Sequence, residues 1–227
     1  MRIYVDFKKE ALGEIKRDLV EMGIKIHPKS YQDKIVEHDP AFDTLEIQNY
    51  TYTVINPRTE DLTPTQPWAD AEFRERITRP PVNPGEAWEL RKEVWTEFRC
   101  ADGKFGYNYP ERFAQYDQIE RIIKRIKVDP DSRQLFLAVY QPSDIQYMGG
   151  VSRIPCTIGY QIQIRSGLLH LTYIQRSCDF ATHYNNDVYL AVMMQRYIAE
   201  KTGYRVGRFT HFVMSLHLFK KDGKGVF

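Results

Sequence analysis

Thr157-Ile158-Gly159-Tyr160-Gln161-Ile162-Gln163-Ile164-Arg165 is the stretch on which the reading of the fold turns. Ile158, Tyr160, Ile162 and Ile164 alternate with Gly159, Gln161, Gln163 and Arg165, the period of two of a half-buried strand. Ser166-Gly167 follows as a hairpin-type turn, and Leu168 to Gln175 returns as the partner strand. Just upstream, Gln118 to Lys127 places Ile119, Ile122, Ile123 and Ile126 on one helical face. Asp129-Pro130-Asp131-Ser132 ends that helix in a turn, and Leu135 to Tyr140 reads as a strand buried on both faces. Downstream, Val188 to Thr202 reads as a helix closed by Gly203, and Phe209 to Phe219 as a final strand. Toward the N-terminus, Leu12, Ile15, Leu19 and Met22 keep helical spacing until Gly23, and Thr44 to Ile55 favours a strand or hairpin. Glu86 to Arg99 resumes a helical pattern with Trp88, Trp95 and Phe98. Strands and helices intermixed, with hairpins, predict an α/β chain of the α+β kind with a mixed sheet.

One segment resists this pattern. Asn56 to Gly85 holds six of the twelve prolines, so neither a continuous helix nor a central strand fits it. We expect a long surface excursion from a single domain spanning 1–227. That length, with 42% hydrophobic residues, is enough to bury a core without staples. Lys and Arg number 32 against 30 acidic residues, a net +2, which excludes a polycation built to coat nucleic acid. No obligatory nucleic-acid partner is expected. Cys100, Cys156 and Cys178 are too few and too scattered for a disulfide framework or zinc ribbon, and suit a reducing compartment. Met1-Arg2-Ile3-Tyr4-Val5-Asp6 lacks the apolar run of a signal peptide, and Leu135 to Tyr140, the longest apolar run, is too short to span a bilayer. A cytoplasmic protein with no membrane partner is expected.

Four clusters carry chemistry. Cys156 sits in Arg153-Ile154-Pro155-Cys156, where proline holds the chain extended and a nearby Arg favours thiolate. Taken alone, a buried structural cysteine is the commoner reading. Arg176-Ser177-Cys178-Asp179 offers a guanidinium and a hydroxyl suited to a phosphate, and Asn185-Asn186-Asp187 offers polar groups suited to a ring edge. The third cluster is Asp129-Pro130-Asp131-Ser132-Arg133-Gln134. In the fourth, His211, Val213, Ser215 and His217 share one strand face. The two His are too far apart for a simple metal pair, and no ligand set stands out, so no metal site is expected.

In this order the clusters resemble the thymidylate synthase family: Asp129-Pro130-Asp131-Ser132-Arg133, Pro155-Cys156, Gln161, Arg176-Ser177-x-Asp179, a helix ending near Gly203, then His217. Tyr107, with Arg112 five residues on, is similar to the family's Tyr…Arg motif. The resemblance covers Phe105 to Phe219, roughly half the chain. It implies a three-layer sandwich that dimerises sheet on sheet, a pyrimidine nucleoside monophosphate substrate, and 5,10-methylenetetrahydrofolate as one-carbon donor. Cys156 would add to C6 of the pyrimidine, making C5 enolate-like and nucleophilic. Arg176 would bind the phosphate and lower the Cys156 pKa, and Ser177 would add a phosphate hydrogen bond. Arg133 would reach across the homodimer to the partner's phosphate. Gln161 would bind substrate, His217 would hold the sugar, Asp179 would face the folate, and Tyr107 would assist proton removal at C5 through water. Among Glu86, Glu89 and Glu93, Glu89 is taken as the catalytic carboxylate of the family's early helix.

Departures from the family pattern point to the substrate. The family reads uracil with an Asn eight residues after the Asp of Arg-Ser-x-Asp, and here that position is Asp187. A protonated carboxyl donates to N3 of cytosine and accepts from its amino group. Asp187 therefore resembles the deoxycytidylate hydroxymethylases, in which water captures the one-carbon intermediate. A slip of one residue makes Asn186 the reader and uracil the base; the two lie about 100° apart on a helix. The family's sugar-binding Tyr is Phe219 here, which loosens the choice between dCMP and CMP. Gln134 replaces a second Arg, and Lys34 is the candidate substitute for the family's early phosphate Arg. The family's long C-terminal segment is mostly missing after Phe219, leaving Asn56 to Gly85 or Lys220 to Phe227 to cover the site. The expectation is a pyrimidine nucleotide 5-hydroxymethylase acting on dCMP or CMP. The alternatives are a thymidylate synthase acting on dUMP and a non-catalytic nucleotide- or RNA-binding relative.

Overall fold

A computed structural model describes residues 2–31, 34–148 and 153–223. Its strands are β1 (Arg2–Tyr4), β2 (Ile24–Ile26), β3 (Ser30–Tyr31), β4 (Lys34–Ile35), β5 (Thr44–Val54), β6 (Phe136–Ala138), β7 (Thr157–Arg165), β8 (Leu168–Asp179) and β9 (Arg205–Phe219). Its α-helices are α1 (Leu12–Met22), α2 (Trp68–Ile77), α3 (Lys92–Trp95), α4 (Tyr109–Ala114), α5 (Gln118–Val128) and α6 (Tyr184–Thr202). The main sheet runs β1-β5-β9-β8-β7-β6, with β2 also paired to β5, while β3 and β4 form a separate hairpin. The sheet is mixed. β1 with β5 and β8 with β9 are parallel, and the other pairs are antiparallel. Parallel neighbours need a crossover, and α6 supplies it between β8 and β9.

The β7–β8 hairpin follows the sequence reading. Ser166 and Gly167 both take positive φ, 52° and 72°, as a two-residue turn between twisted strands requires. Two local shifts depart from simple alternation. A bulge at the start of β7 pairs Thr157 with Gln175 and Gly159 with Ile174, so Ile158 leaves the buried face and Thr157 takes a buried place. In β5 the register skips Asn49, whose φ is +54°, and the buried positions change from Leu45 to Tyr50, Tyr52 and Val54. An extra residue in a strand turns every later side chain to the opposite face.

The inner face of the sheet carries Tyr52, Val54, Tyr160, Ile162, Leu171, Tyr173, Phe209 and Val213, all buried in one cluster with α1, α5 and α6. α6 is buried nearly all round, with Val188, Leu190, Ala191, Val192, Met194 and Ile198 at 1% exposure or less. That suits a helix between a sheet and outer helices. The other face of the central strands carries Thr172, Ile174, Thr210 and Phe212, half-buried, and Met214, exposed.

Several expectations need correction. Asn56 to Gly85 is not a mere surface excursion: it contains α2, whose Trp68, Ala69 and Phe73 enter the core. Prolines bracket this helix rather than prevent it, since Pro67 stands at its start and Pro80 beyond its end. Leu135 to Tyr140 is not buried on both faces. Its strand β6 is short, lies at the sheet edge, and leaves Phe136 38% exposed. Glu86 to Arg99 is a chain of short turns, 3-10 at Ala87–Arg91, α3, then 3-10 again at Thr96–Phe98. Arg176 to Asp179 lies within β8 rather than after it, and α6 begins four residues earlier than the apolar pattern suggested. No helix of the described residues is long and apolar enough to cross a membrane.

Candidate active site

The site lies where β7 begins and β8 ends, beside the first turn of α6. Pro155 leads Cys156 into β7, and the Arg176 amide donates to the Cys156 carbonyl at 2.7 Å. This backbone bond places Cys156 against the polar end of β8. The Arg176 guanidinium then reaches back, with Nη2 4.0 Å from Cys156 Sγ and 3.5 Å from the Ile154 carbonyl. Arg153 adds a second cation. Its guanidinium lies 4.8 Å from the Trp95 ring centroid and 4.3 Å from that of Phe98.

Burial pushes the Cys156 thiol up, and Arg176 and Arg153 only partly offset it. The expectation of a lowered thiol pKa is therefore corrected: Arg176 acts in the expected direction, but desolvation is larger. A free thiol ordinarily titrates near 9. Alkylation of Cys156 by iodoacetamide should be slower than that of exposed Cys100 at pH 7.5 and keep rising past pH 9. An Arg176→Ala variant should move that rise to still higher pH. Residue-resolved mass spectrometry reads this, and a Cys156 rate that levels off below pH 8 would contradict it.

Tyr107 stands in the same field. Burial pushes its hydroxyl up to about 12, opposed by Arg153, Arg112 and Arg176 and reinforced by Cys156. It is a neutral phenol at neutral pH. Arg112 is 5.5 Å from its ring centroid and pairs with buried Asp144.

Asp187 and Asn186 part company at the start of α6. The Asn186 side chain turns to Thr65, accepting from its amide at 2.7 Å and facing its hydroxyl at 3.3 Å. Asp187 turns to the sheet, where Oδ2 accepts from Gln175 Nε2 at 2.8 Å. Gln175 Oε1 lies 2.8 Å from His211 Nε2, and His211 Nδ1 lies 3.1 Å from the Tyr52 hydroxyl, which also meets Tyr184. Burial lowers His211 to about 3, so the ring is neutral. A neutral ring facing an amide oxygen donates from Nε2, which orients the Gln175 NH₂ toward Asp187. Burial raises Asp187, against the pull of His183, the Gln175 hydrogen bond, Arg76 and Arg153. Its charge also acts on Cys156.

At the strand ends, Ser177 pairs with Ser215 and Asp179 with His217 across β8 and β9. Asp179 Oδ1 accepts from the Ala181 and Thr182 amides at 3.0 and 3.3 Å, which shapes the turn into α6. Burial lowers His217, against Asp179, the Ser215 carbonyl and Glu46.

Cys156, Arg176, Tyr107 and Asp187 are thus brought together, with Ser177, Asp179 and His217 along the adjoining strand ends. Three expected residues stand apart in this chain. Gln161 lies further along β7, where its amide donates to the carbonyls of Arg133, Leu135 and Ile162. Arg133 is exposed before β6 and makes no ion pair among the described residues. Glu89 is exposed on the 3-10 turn, 3.6 Å from Lys92 Nζ. Lys34 is likewise engaged elsewhere, 2.9 Å from Glu97.

The sequence shows Arg153 only as a neighbour of the thiol and leaves the Glu72–Arg76 pair unread. Arg153 acts on Cys156, Tyr107 and Asp187 together. On α2, Glu72 pairs at 2.9 Å with buried Arg76, which lies 3.9 Å from the Tyr109 ring centroid and acts on Asp187. The spacing of Glu72 and Arg76, one helical turn, was available as a signal once α2 was read as a helix. Thr63 and Thr65, from the same Pro-rich stretch, donate their amides to Asn185 and Asn186, so the stretch docks beside the site. Of Lys220 to Phe227, residues 224–227 lie outside the described residues. Among the described residues, no group of three His, Cys, Asp or Glu side chains is placed to hold a metal.

Residues 86–226 match the thymidylate synthase family. A thymidylate synthase of Clostridium beijerinckii is 26% identical over 136 residues, 59% of this chain and 50% of that protein. One of Bacillus phage phi3T is 22% identical over 221 residues, 92% of this chain and 78% of its own length. This chain thus spans about half of the first relative. Among solved structures, thermostable thymidylate synthase A from Bacillus subtilis superposes with a TM-score of 0.75 at 20% identity, covering 97% of this chain and 82% of that one. At that identity the superposition speaks for the fold.

Proposed function

Because this chain belongs to the thymidylate synthase family, we propose that it is a pyrimidine nucleotide 5-hydroxymethylase acting on a cytidylate, dCMP or CMP. The observation that carries this reading is Asp187: a half-buried carboxyl with a raised pKa, held by Gln175 and within the field of Cys156. In its protonated form a carboxyl presents a donor and an acceptor side by side, the complement of cytosine N3 and its amino group. Asn186, the competing reader, already spends its amide on Thr65.

The family draws its one-carbon unit from 5,10-methylenetetrahydrofolate. Trp95 Nε1 is buried with no partner among the described residues, a free donor for the folate beside Arg153. When bound there, the folate supplies the one-carbon electrophile for C5. The chain's own residues do the rest. The Cys156 thiolate adds to C6, forming the S–C6 bond and shifting the ring electrons to C5. Arg176 and Ser177 hold the phosphate, and Arg176 favours the thiolate. Tyr107, neutral and close to the cations, orients the water that takes the C5 proton. Glu72 takes the place of Glu89 as the carboxylate assigned to acid–base work, since on α2 it pairs with Arg76, whose charge acts on Asp187. Asp179 faces the folate and His217 the sugar. The half-buried outer face of β8 and β9 is the surface for a second copy, with Arg133 reaching the partner's phosphate.

The test is product mass. The protein is given methylenetetrahydrofolate with dCMP, CMP and dUMP in competition and no reductant. A hydroxymethyl gain on a cytidylate is expected. A methyl gain on dUMP with dihydrofolate formed would replace this reading by a thymidylate synthase, which the names of the relatives favour. No product would leave a binding protein.

A further inference from the structure

We propose that Tyr31 hydrogen-bonds a sugar hydroxyl of the bound nucleotide, supplying at the β3–β4 hairpin the hydroxyl that Phe219 lacks. The inference rests on the nucleotide reading above. A nucleotide with its base at Asp187 and its phosphate at Arg176 sets its sugar between them, along the ends of β8 and β9. There Asp179 and His217 stand side by side.

The wall beside them is aromatic. The His217 and Phe219 ring centroids are 5.1 Å apart, edge to face. On its other flank Phe219 meets the Tyr31 ring at 5.1 Å and 80°. Phe42 completes the cluster, 5.3 Å from Tyr31 and 6.0 Å from Phe219. Lys221 Nζ lies over all three rings, 4.3 Å from Phe42, 5.1 Å from Tyr31 and 5.4 Å from Phe219. The Tyr31 ring is therefore fixed by packing, while its hydroxyl remains uncommitted: no described group hydrogen-bonds it. Asp179, Arg153, Asp222 and Cys156 all act on that hydroxyl electrostatically, so it shares the space of the site. Burial keeps it a neutral phenol, able both to donate and to accept, which is what a sugar hydroxyl requires. Phe219 fills the same wall without a polar atom, so the hydroxyl comes from the neighbour that leans on it.

Calorimetric binding to the full chain separates the two sugar positions. The ligands are CMP, dCMP, 3′-deoxy-CMP and 2′,3′-dideoxy-CMP, with wild type, Tyr31→Phe, and Tyr31→Phe combined with Phe219→Tyr. Tyr31→Phe keeps the ring, so packing is retained. It is expected to weaken by about three- to tenfold only those nucleotides that carry the contacted hydroxyl, as one neutral hydrogen bond allows. Loss with CMP and 3′-deoxy-CMP alone assigns the 2′ hydroxyl, and loss with CMP and dCMP alone assigns the 3′ hydroxyl. The dideoxy nucleotide should bind both proteins alike, and the turnover effect should fall on KM rather than kcat. The second substitution should restore part of the loss. Equal affinities throughout, or a loss that persists with the dideoxy nucleotide, would overturn the assignment of Tyr31 and leave the nucleotide reading intact. Failure of the wild type to bind any of the four would overturn both.

Discussion

An Asp187→Asn variant should exchange its base preference, with the ratio of kcat/KM for cytidylate over dUMP falling by about 10²- to 10⁴-fold. The magnitude follows from buried recognition: a site built to hydrogen-bond one base leaves its own polar groups unpaired against the other. The amide oxygen of Asn accepts from uracil N3–H and its NH₂ donates to O4, where the protonated carboxyl served the reverse pattern of cytosine. The Gln175 donor that meets Asp187 at 2.8 Å can meet the Asn oxygen equally, so the fold should tolerate the change. The same logic sets a pH dependence. Burial raises Asp187, so the carboxyl keeps its proton to higher pH than a free Asp, and cytidylate turnover should decline as pH rises through that raised pKa. The Asn variant has no such limb. Steady-state rates on dCMP, CMP and dUMP across pH measure both effects, and an unchanged base ratio would remove Asp187 from base recognition.

Cys156→Ser should cost at least about 10³-fold in turnover while nucleotide affinity stays within about threefold. A hydroxyl is a far weaker nucleophile than a thiolate, and Arg176 cannot compensate by stabilising an alkoxide in a site where burial already disfavours the anion. The wild-type protein should carry nucleotide covalently at Cys156 on denaturation with substrates, and the variant should not. Turnover retained within tenfold would mean that Cys156 is not the nucleophile.

Local periodicity made some of this fold readable and hid the rest. The β7–β8 hairpin was legible because a strict period of two met a Ser-Gly turn, and both turn residues take the positive φ it requires. α5 was legible because its four isoleucines share one face. What escaped was structure decided by tertiary context. Arg176 to Asp179 looks like a polar loop, yet β8 continues through it because Ser177, Cys178 and Asp179 each pair with β9. α2 was hidden by proline density, and Glu72 with it, because the prolines flank the helix rather than interrupt it. The bulges at Ile158 and Asn49 leave no mark in hydrophobicity, since only the partner strand reveals the skipped residue. Among the candidate site residues, Cys156, Arg176 and Asp187 stand out by residue type, while Tyr107 enters only through the resemblance to the family. Arg153 was noted only as a neighbour of the thiol. That its charge also reaches Tyr107 and Asp187 depends on where Trp95 and Phe98 stack against it.

The position of β9 has a consequence for how the chain acquires this structure. β9 is the last of the described strands in sequence, yet it lies between β5 and β8, with Tyr52 and His211 in contact 159 residues apart. Until it emerges, β5 with its short neighbours and the β7–β8 hairpin are two separate pieces with exposed edges. Loop closure over such distances is slow, and the half-built sheet is open to pairing with other chains. The sheet's centre is therefore filled late, and the strand that bears His217 both completes the site and joins the two halves.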